Sequence, residues 1–145
     1  MANVHDVAAY ILKRQGPVST MRLQKLVYYC QAWHLVWEDL PLFDSRIEAW
    51  ANGPVCPELY REHRKMFGVA EWPKGDADGL ARNERDTVDV VLDYYGTKDA
   101  QWLSDLTHLE RPWRAARGTL PDGAPSGRAI TPLAMQDYYA NLPRK

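Results

Sequence analysis

The sequence holds only two cysteines, Cys30 and Cys56, and only two phenylalanines in 145 residues. Two cysteines do not make a disulfide framework, so the fold must rest on packing, and both thiols read as reduced and structural. Charge of one sign is also missing. The formal net charge is −1, so no bulk field draws the chain to nucleic acid or to an anionic membrane. No apolar run approaches the roughly 20 residues of a membrane span. The start, M-A-N-V-H-D, lacks the basic and apolar regions of a signal peptide. A cytoplasmic protein is the expectation. Walker loops, GxGxxG, CxxC, HExxH and the kinase set are all absent, which leaves no signature for an enzyme or a cofactor site.

What is present is Tyr and Trp, 8 and 6 respectively, side chains with an apolar body and a polar handle that favour half-buried positions and interfaces. The length suits one domain, 1–145, with a core of its own.

The stretch around which the chain is organised is Ile47 to Tyr60, I-E-A-W-A-N-G-P-V-C-P-E-L-Y. A short strand, Ile47 to Ala51, runs through Asn52-Gly53-Pro54 into a helix opening at Pro57. Gly53 tolerates φ > 0, Pro54 biases it away from αR, and Pro57 suits a first helical turn.

Hydrophobic spacing predicts the remaining elements. Val4 to Gln15 reads as a helix capped by Asn3, with Val4, Val7, Ala8, Ile11 and Leu12 inward and Gly16-Pro17 as the stop. Ser19 or Thr20 caps a longer, central helix to about Trp37. Leu23, Leu26, Val27, Cys30, Trp33 or His34, and Trp37 face the core, and Arg22, Lys25, Tyr29 and Gln31 take the other face. Leu40 to Phe43, a turn at Asp44-Ser45 and Ile47 to Ala51 predict a small hairpin that must pack on the helices. Further helices are expected from Pro57 to about Phe67, with Leu59, Tyr60, His63 and Phe67 inward, and from an Asn83 cap to Tyr95. Others run from a Thr97 cap through Lys98 to His108, with Trp102, Leu103 and Leu106 inward, and from Glu110 to Arg117. The last opens at Thr131-Pro132 and reaches about Asn141, with Leu133, Gln136, Tyr139 and Ala140 along one side. Trp72 to Gly79 and Leu120 to Arg128 read as loops. The predicted fold is mainly α: six or seven helices with one small antiparallel β element beside the Gly53-Pro54 corner.

Three constellations invite chemistry. Cys30 and His34 stand i,i+4, with Cys56 and His63 one element later, but the paired spacings of a zinc site are missing, so a structural reading is preferred. D-A-D-G within 76–79 resembles a calcium loop, yet its glycine comes two positions early and Thr87 stands where the bidentate Glu belongs. Ser104, Asp105 and His108 cluster without a nucleophile elbow or oxyanion device, so a His–Asp hydrogen bond bracing a helix junction is expected, not hydrolysis. Arg61, Arg64 and Lys65, and the stripe Arg111, Arg114 and Arg117, read as solvated faces that could also bind phosphates. The first two helices outline a helix-turn-helix, but the second is too apolar to lie free in a groove.

Taken in order, M-R-L-Q-K-L-V-Y-Y, I-E-A-W-A-N-G-P-V with P-E-L-Y, W-L-S-D-L-T-H with a following P-W, and I-T-P-L-A-M-Q-D-Y-Y make a further pattern. In that order the chain resembles the Panacea antitoxin domain, the SocA-like or GepA-like phage-associated family, from Val4 to about Leu142. The resemblance implies a bacterial or prophage antitoxin of a toxin–antitoxin system that neutralises a cognate toxin, from the adjacent gene, by direct binding. It also implies that an ATP-dependent protease is a possible second partner, since at least one member acts as a proteolytic adaptor. Some members carry a DNA-binding segment before the domain, for which this chain leaves no room. No catalytic residue, metal or cofactor transfers. Glu48, Trp50, Asn52, Gly53, Pro54, Asp105, His108 and Trp113 are expected to be structural, with Asn52 and Asp105 bracing the corner or facing a partner. Glu58, Tyr60 and Arg61 form the expected partner-binding face. The alternative function is a small helical DNA-binding transcriptional regulator.

Overall fold

The computed structural model describes residues 1–142. α1 (Val4–Gln15) begins where Asn3 accepts the His5 N–H at 2.8 Å, and its whole predicted stripe is buried. β1 (Val18–Ser19) leads into α2 (Thr20–Glu38), capped by Ser19. β2 (Glu48–Trp50) and β3 (Gly53–Val55) precede α3 (Pro57–His63) and β4 (Gly68–Val69). α4 (Arg82–Tyr95), α5 (Ala100–Leu109), α6 (Arg111–Arg117) and α7 (Pro132–Ala140) complete the described chain. The protein is mainly α, with seven helices and two two-stranded antiparallel sheets among the described residues.

α2 is the axis. α1, α4, α5, α7 and β3 all pack on it, so it has no solvent face along most of its length. This corrects the expected polar face: Lys25, Tyr29 and Gln31 are buried, and of the four only Arg22 stays half-buried. Each of these three buried side chains has a partner, as burial requires. Tyr29 donates to the Glu110 carboxylate at 2.7 Å, and Gln31 donates to the Phe43 carbonyl at 2.7 Å. Trp37, at the end of α2, is 46% exposed, not inward.

The hairpin lies one segment later than the spacing predicts. Leu40 to Phe43 is not a strand, because the Gln31 amide accepts the Leu42 N–H at 2.7 Å and takes the place of a ladder partner. β2 pairs instead with β3, in register Glu48↔Val55, Ala49↔Pro54 and Trp50↔Gly53. On its other side β2 meets Ala129, the Ala49 N–H donating to the Arg128 carbonyl at 2.8 Å. The second sheet, β1 with β4, was not foreseen, since two residues per strand carry no readable period.

Other differences follow from local capping and exposure. α3 stops at His63, and Phe67 is 96% exposed, not inward. α4 is capped at Ala81, whose N–H reaches the Glu84 carboxylate at 2.7 Å, while Asn83 donates to Glu38. Asp99, not Thr97, caps α5 by accepting the Trp102 N–H, and Trp102 is 40% exposed. α7 turns Met135 and Tyr139 inward, with Leu133 and Ala140 exposed.

Gly53 carries the turn at φ 117°. A Cβ there would fall 2.6 Å from the Lys25 Cε and 3.0 Å from the Thr107 Oγ1. Gly53→Val is therefore expected to lower stability by about 1–3 kcal/mol, through left-handed backbone strain and displaced side chains. Thermal melting by circular dichroism checks this; an unchanged midpoint would show that the turn does not need glycine.

Candidate functional site

The hairpin is held by side chains that grip its backbone. Arg117 donates to the Ala49 carbonyl at 2.9 Å and Trp113 Nε1 to the Trp50 carbonyl at 2.8 Å. His108 Nε2 lies 3.0 Å from the Ala51 carbonyl, and Ser104 Oγ donates to the Asn52 carbonyl at 2.8 Å. Lys25 Nζ donates to the Pro54 carbonyl at 3.1 Å. Gln24 closes the series, accepting the Cys56 N–H at 2.9 Å and donating to the Cys56 carbonyl at 3.2 Å. The grip comes from α2 and, far along the chain from it, the consecutive helices α5 and α6.

This corrects the role given to Asp105. His108 makes no bond to it: His108 Nδ1 meets the Ser104 carbonyl at 2.6 Å, while Asp105 is exposed and accepts from Gln101. Asn52 works through its main chain, and its side chain is exposed. Arg117 is corrected more strongly. Far from a solvated stripe, it is 2% exposed, stacks 4.9 Å over Trp113, and also donates to the carbonyls of Pro121, Asp122 and Ala124. Arg111 and Arg114 remain exposed.

The gripped hairpin forms one wall of an open groove of about 740 Å³. Trp50, Val55 and Tyr60 supply apolar surface, with Tyr60 edge-on to Trp50 at 4.9 Å. Met21 and Thr20 come from α2, and Pro125 to Gly127 from the long loop. Gln24, Lys25 and His63 lie in the lining, with Gln24 Nε2 and His63 Nε2 2.9 Å apart. Lys25 is 1% exposed, and burial lowers its amine from the ordinary 10.5 to about 7. Of the expected partner-binding residues, Tyr60 lines this groove and Arg61 is exposed beside it. Glu58 goes elsewhere: its carboxylate takes the Ser45 hydroxyl at 2.9 Å and meets His5 Nε2 at 3.0 Å, tying α3 to α1.

A second groove, of about 1040 Å³, runs between α2, α4 and α7 over Trp33, Trp37, Val90, Tyr94, Leu109 and Tyr138. Beneath it Glu110 accepts from Tyr29 and Tyr139, each at 2.7 Å, and burial raises its carboxyl above the usual range. Of the polar residues that sequence reasoning missed, Gln24, Lys25 and Arg117 belong to helices and Glu110 is the junction residue between α5 and α6. Apolar spacing places such residues on the surface, and no local signal marks them otherwise.

The metal-compatible residues do not converge. Cys30 is enclosed in the core, His34 Nδ1 lies 2.7 Å from Thr87 Oγ1, and no trio of metal-binding side chains forms among the described residues. No helix among them is long and apolar enough to cross a membrane.

Fold and site together define a small helical domain that displays a braced hairpin beside an open groove. The family described as Antitoxin SocA-like, Panacea domain, matches residues 23–114, which include most of α2, the hairpin, α5 and the start of α6. The chain belongs to that family. It is also similar to the protein named Antitoxin SocA from Caulobacter vibrioides (strain NA1000 / CB15N), 44% identical over 45 residues, 31% of this chain. The match spans 24% of that protein's length. No solved structure matches.

Lys25 makes a pH-dependent contribution whose sign is fixed. Its folded value lies below its unfolded one, so between about 7 and 10.5 the unfolded chain holds the extra proton and stability rises with pH. Lys25→Met should be more stable than the parent near pH 7. That advantage should shrink by on the order of 1 kcal/mol per pH unit toward pH ~9.5. The difference between the two proteins isolates Lys25 from Cys30 and Cys56, whose buried thiols are raised and act in the opposite sense. Urea titrations at several pH values check it, and a constant difference would show that Lys25 does not titrate in this window.

Proposed function

We propose that this protein is a cytoplasmic antitoxin that neutralises a cognate toxin, encoded beside it, by direct protein–protein contact and without catalysis. The observation that supports this best is the braced hairpin, whose backbone is held by six side chains yet whose outer surface opens into the groove. Pre-ordered surfaces lose little conformational freedom on binding. Tyr60 and Arg61 are the proposed contact residues on α3, with Glu58 holding that helix in place. Tyr and Arg beside one another are the composition of binding hot spots. Delivery of the bound toxin to an ATP-dependent protease is compatible with the same surface.

Groove reading of DNA by α2 has nothing to favour it, because that helix is enclosed. The Ser104 hydroxyl donates to the Asn52 carbonyl and both ring nitrogens of His108 meet main-chain carbonyls, which supports a bracing role for the pair.

Co-expression with the toxin of the neighbouring gene tests the reading: growth should be rescued by the parent and lost with Tyr60→Ala/Arg61→Glu at an unchanged melting midpoint. Full rescue by that folded double variant would place the contact elsewhere. His108→Ala should soften the hairpin without removing any turnover. Steady hydrolysis of an ester panel by the parent, abolished in His108→Ala, would instead make the protein an enzyme.

A further inference from the structure

Lys25 sits in the lining of the groove with three N–H donors and one protein acceptor, the Pro54 carbonyl. Among the described residues no carboxylate lies within ion-pair distance of it. A buried cation without a counter-charge is costly to the fold, and nothing in the hairpin's geometry demands one, since a neutral donor would hold Pro54 as well. The other buried polar group contributed by this stretch of α2, Gln24, has all its neighbours in place.

The chain beside the groove-lining Tyr60 and His63 repeats the pattern. Arg61 on α3, and Arg64 and Lys65 just past its end, are exposed, and none joins an ion pair among the described residues. The acids nearby are already engaged. Glu48 takes Arg46 and the Trp50 indole, Glu62 takes Lys74, and Glu58 takes His5 and Ser45. In a chain of net charge −1, this edge therefore carries locally uncompensated positive charge. Thr20, which lines the groove, bonds the carbonyls of Met66 and Phe67, whose apolar side chains are exposed.

We infer that the groove receives an acidic side chain carried on an apolar segment of the toxin. The carboxylate meets Lys25 in the lining, drawn by the exposed cations Arg61, Arg64 and Lys65, and the neighbouring apolar residues lie against Trp50 and Tyr60. The inference rests on the antitoxin reading for the identity of the partner, and on the groove alone for its chemistry. A volume of about 740 Å³ accommodates a few side chains, as ligand pockets do.

The test uses fluorescent peptides blocked at both ends, with phenylalanine alternating with glutamate in one and with glutamine in the other. Fluorescence anisotropy against the whole chain should show the glutamate peptide binding at least about tenfold tighter. Lys25→Met should bring the two affinities together while the protein stays folded. Arg64→Glu, at an exposed position that cannot threaten the core, should weaken the glutamate peptide selectively. Equal binding of the two peptides, binding of neither, a preference that survives Lys25→Met, or displacement by a DNA duplex at physiological salt would each overturn the inference. Growth rescue separates it from the function. If Lys25→Met rescues as well as the parent, the acidic contact falls and the antitoxin stands. If the parent itself fails to rescue while the peptide preference holds, the antitoxin reading falls and the groove's chemistry stands.

Discussion

The structure depends on one arrangement: a short hairpin whose carbonyls at Ala49, Trp50, Ala51, Asn52 and Pro54 are each bonded by a side chain from a helix. Two strands of three residues are not stable alone in water. Here the ladder is supplemented by donors from α2, α5 and α6, each bond contributing on the order of 1 kcal/mol and more where the donor is charged. The consequence runs both ways. Helices that are far apart in sequence are drawn to one strip of backbone, and the strip has little freedom to move.

This arrangement accounts for the company that the sequence motifs keep. E-A-W-A-N-G-P-V provides the carbonyls; Ser104 and His108 in S-D-L-T-H, Trp113 after the following proline, and Lys25 in R-L-Q-K-L provide the donors. Glycine at 53 lets the Lys25 stem pass beneath the turn. Trp113 is the hub of one end, with its indole N–H on Trp50, His108 tilted on its ring at 4.1 Å and the Arg117 guanidinium above it. Burying Arg117 is tolerable because four carbonyls accept from it, although its Nε has no partner.

A surface held this firmly suits recognition. Trp50 and Tyr60 supply the groove's aromatic surface, and Lys25 lies buried in its lining. The interior of the domain holds long polar side chains, with Gln24, Lys25, Gln31, Glu110 and Arg117 all buried. Such groups contribute less to stability than apolar ones would, but each accepts only one geometry of its partners. In this chain that geometry is the position of the hairpin and of the helices around α2.

Much of the architecture was legible in the amino-acid order. α1, the start and course of α2, α6, the loops and the Gly53-Pro54 corner follow from apolar period, caps and turn residues, all of which act within a few positions. So did the resemblance to the family, because its motifs are local strings. The pairing of β2 with β3 in place of Leu40 to Phe43 was not legible, because the Gln31 amide had already satisfied that backbone from a helix eleven residues away. Nor were the buried states of Lys25, Tyr29 and Arg117, or the swing of Glu58 toward His5. A polar residue within a helix looks the same in sequence whether water or a distant carbonyl awaits it. Local preference decided which segments became helices and where the chain turned; only the tertiary packing around α2 decided which polar side chains would go inside, since hydrogen bonds between remote segments exist only once those segments have met.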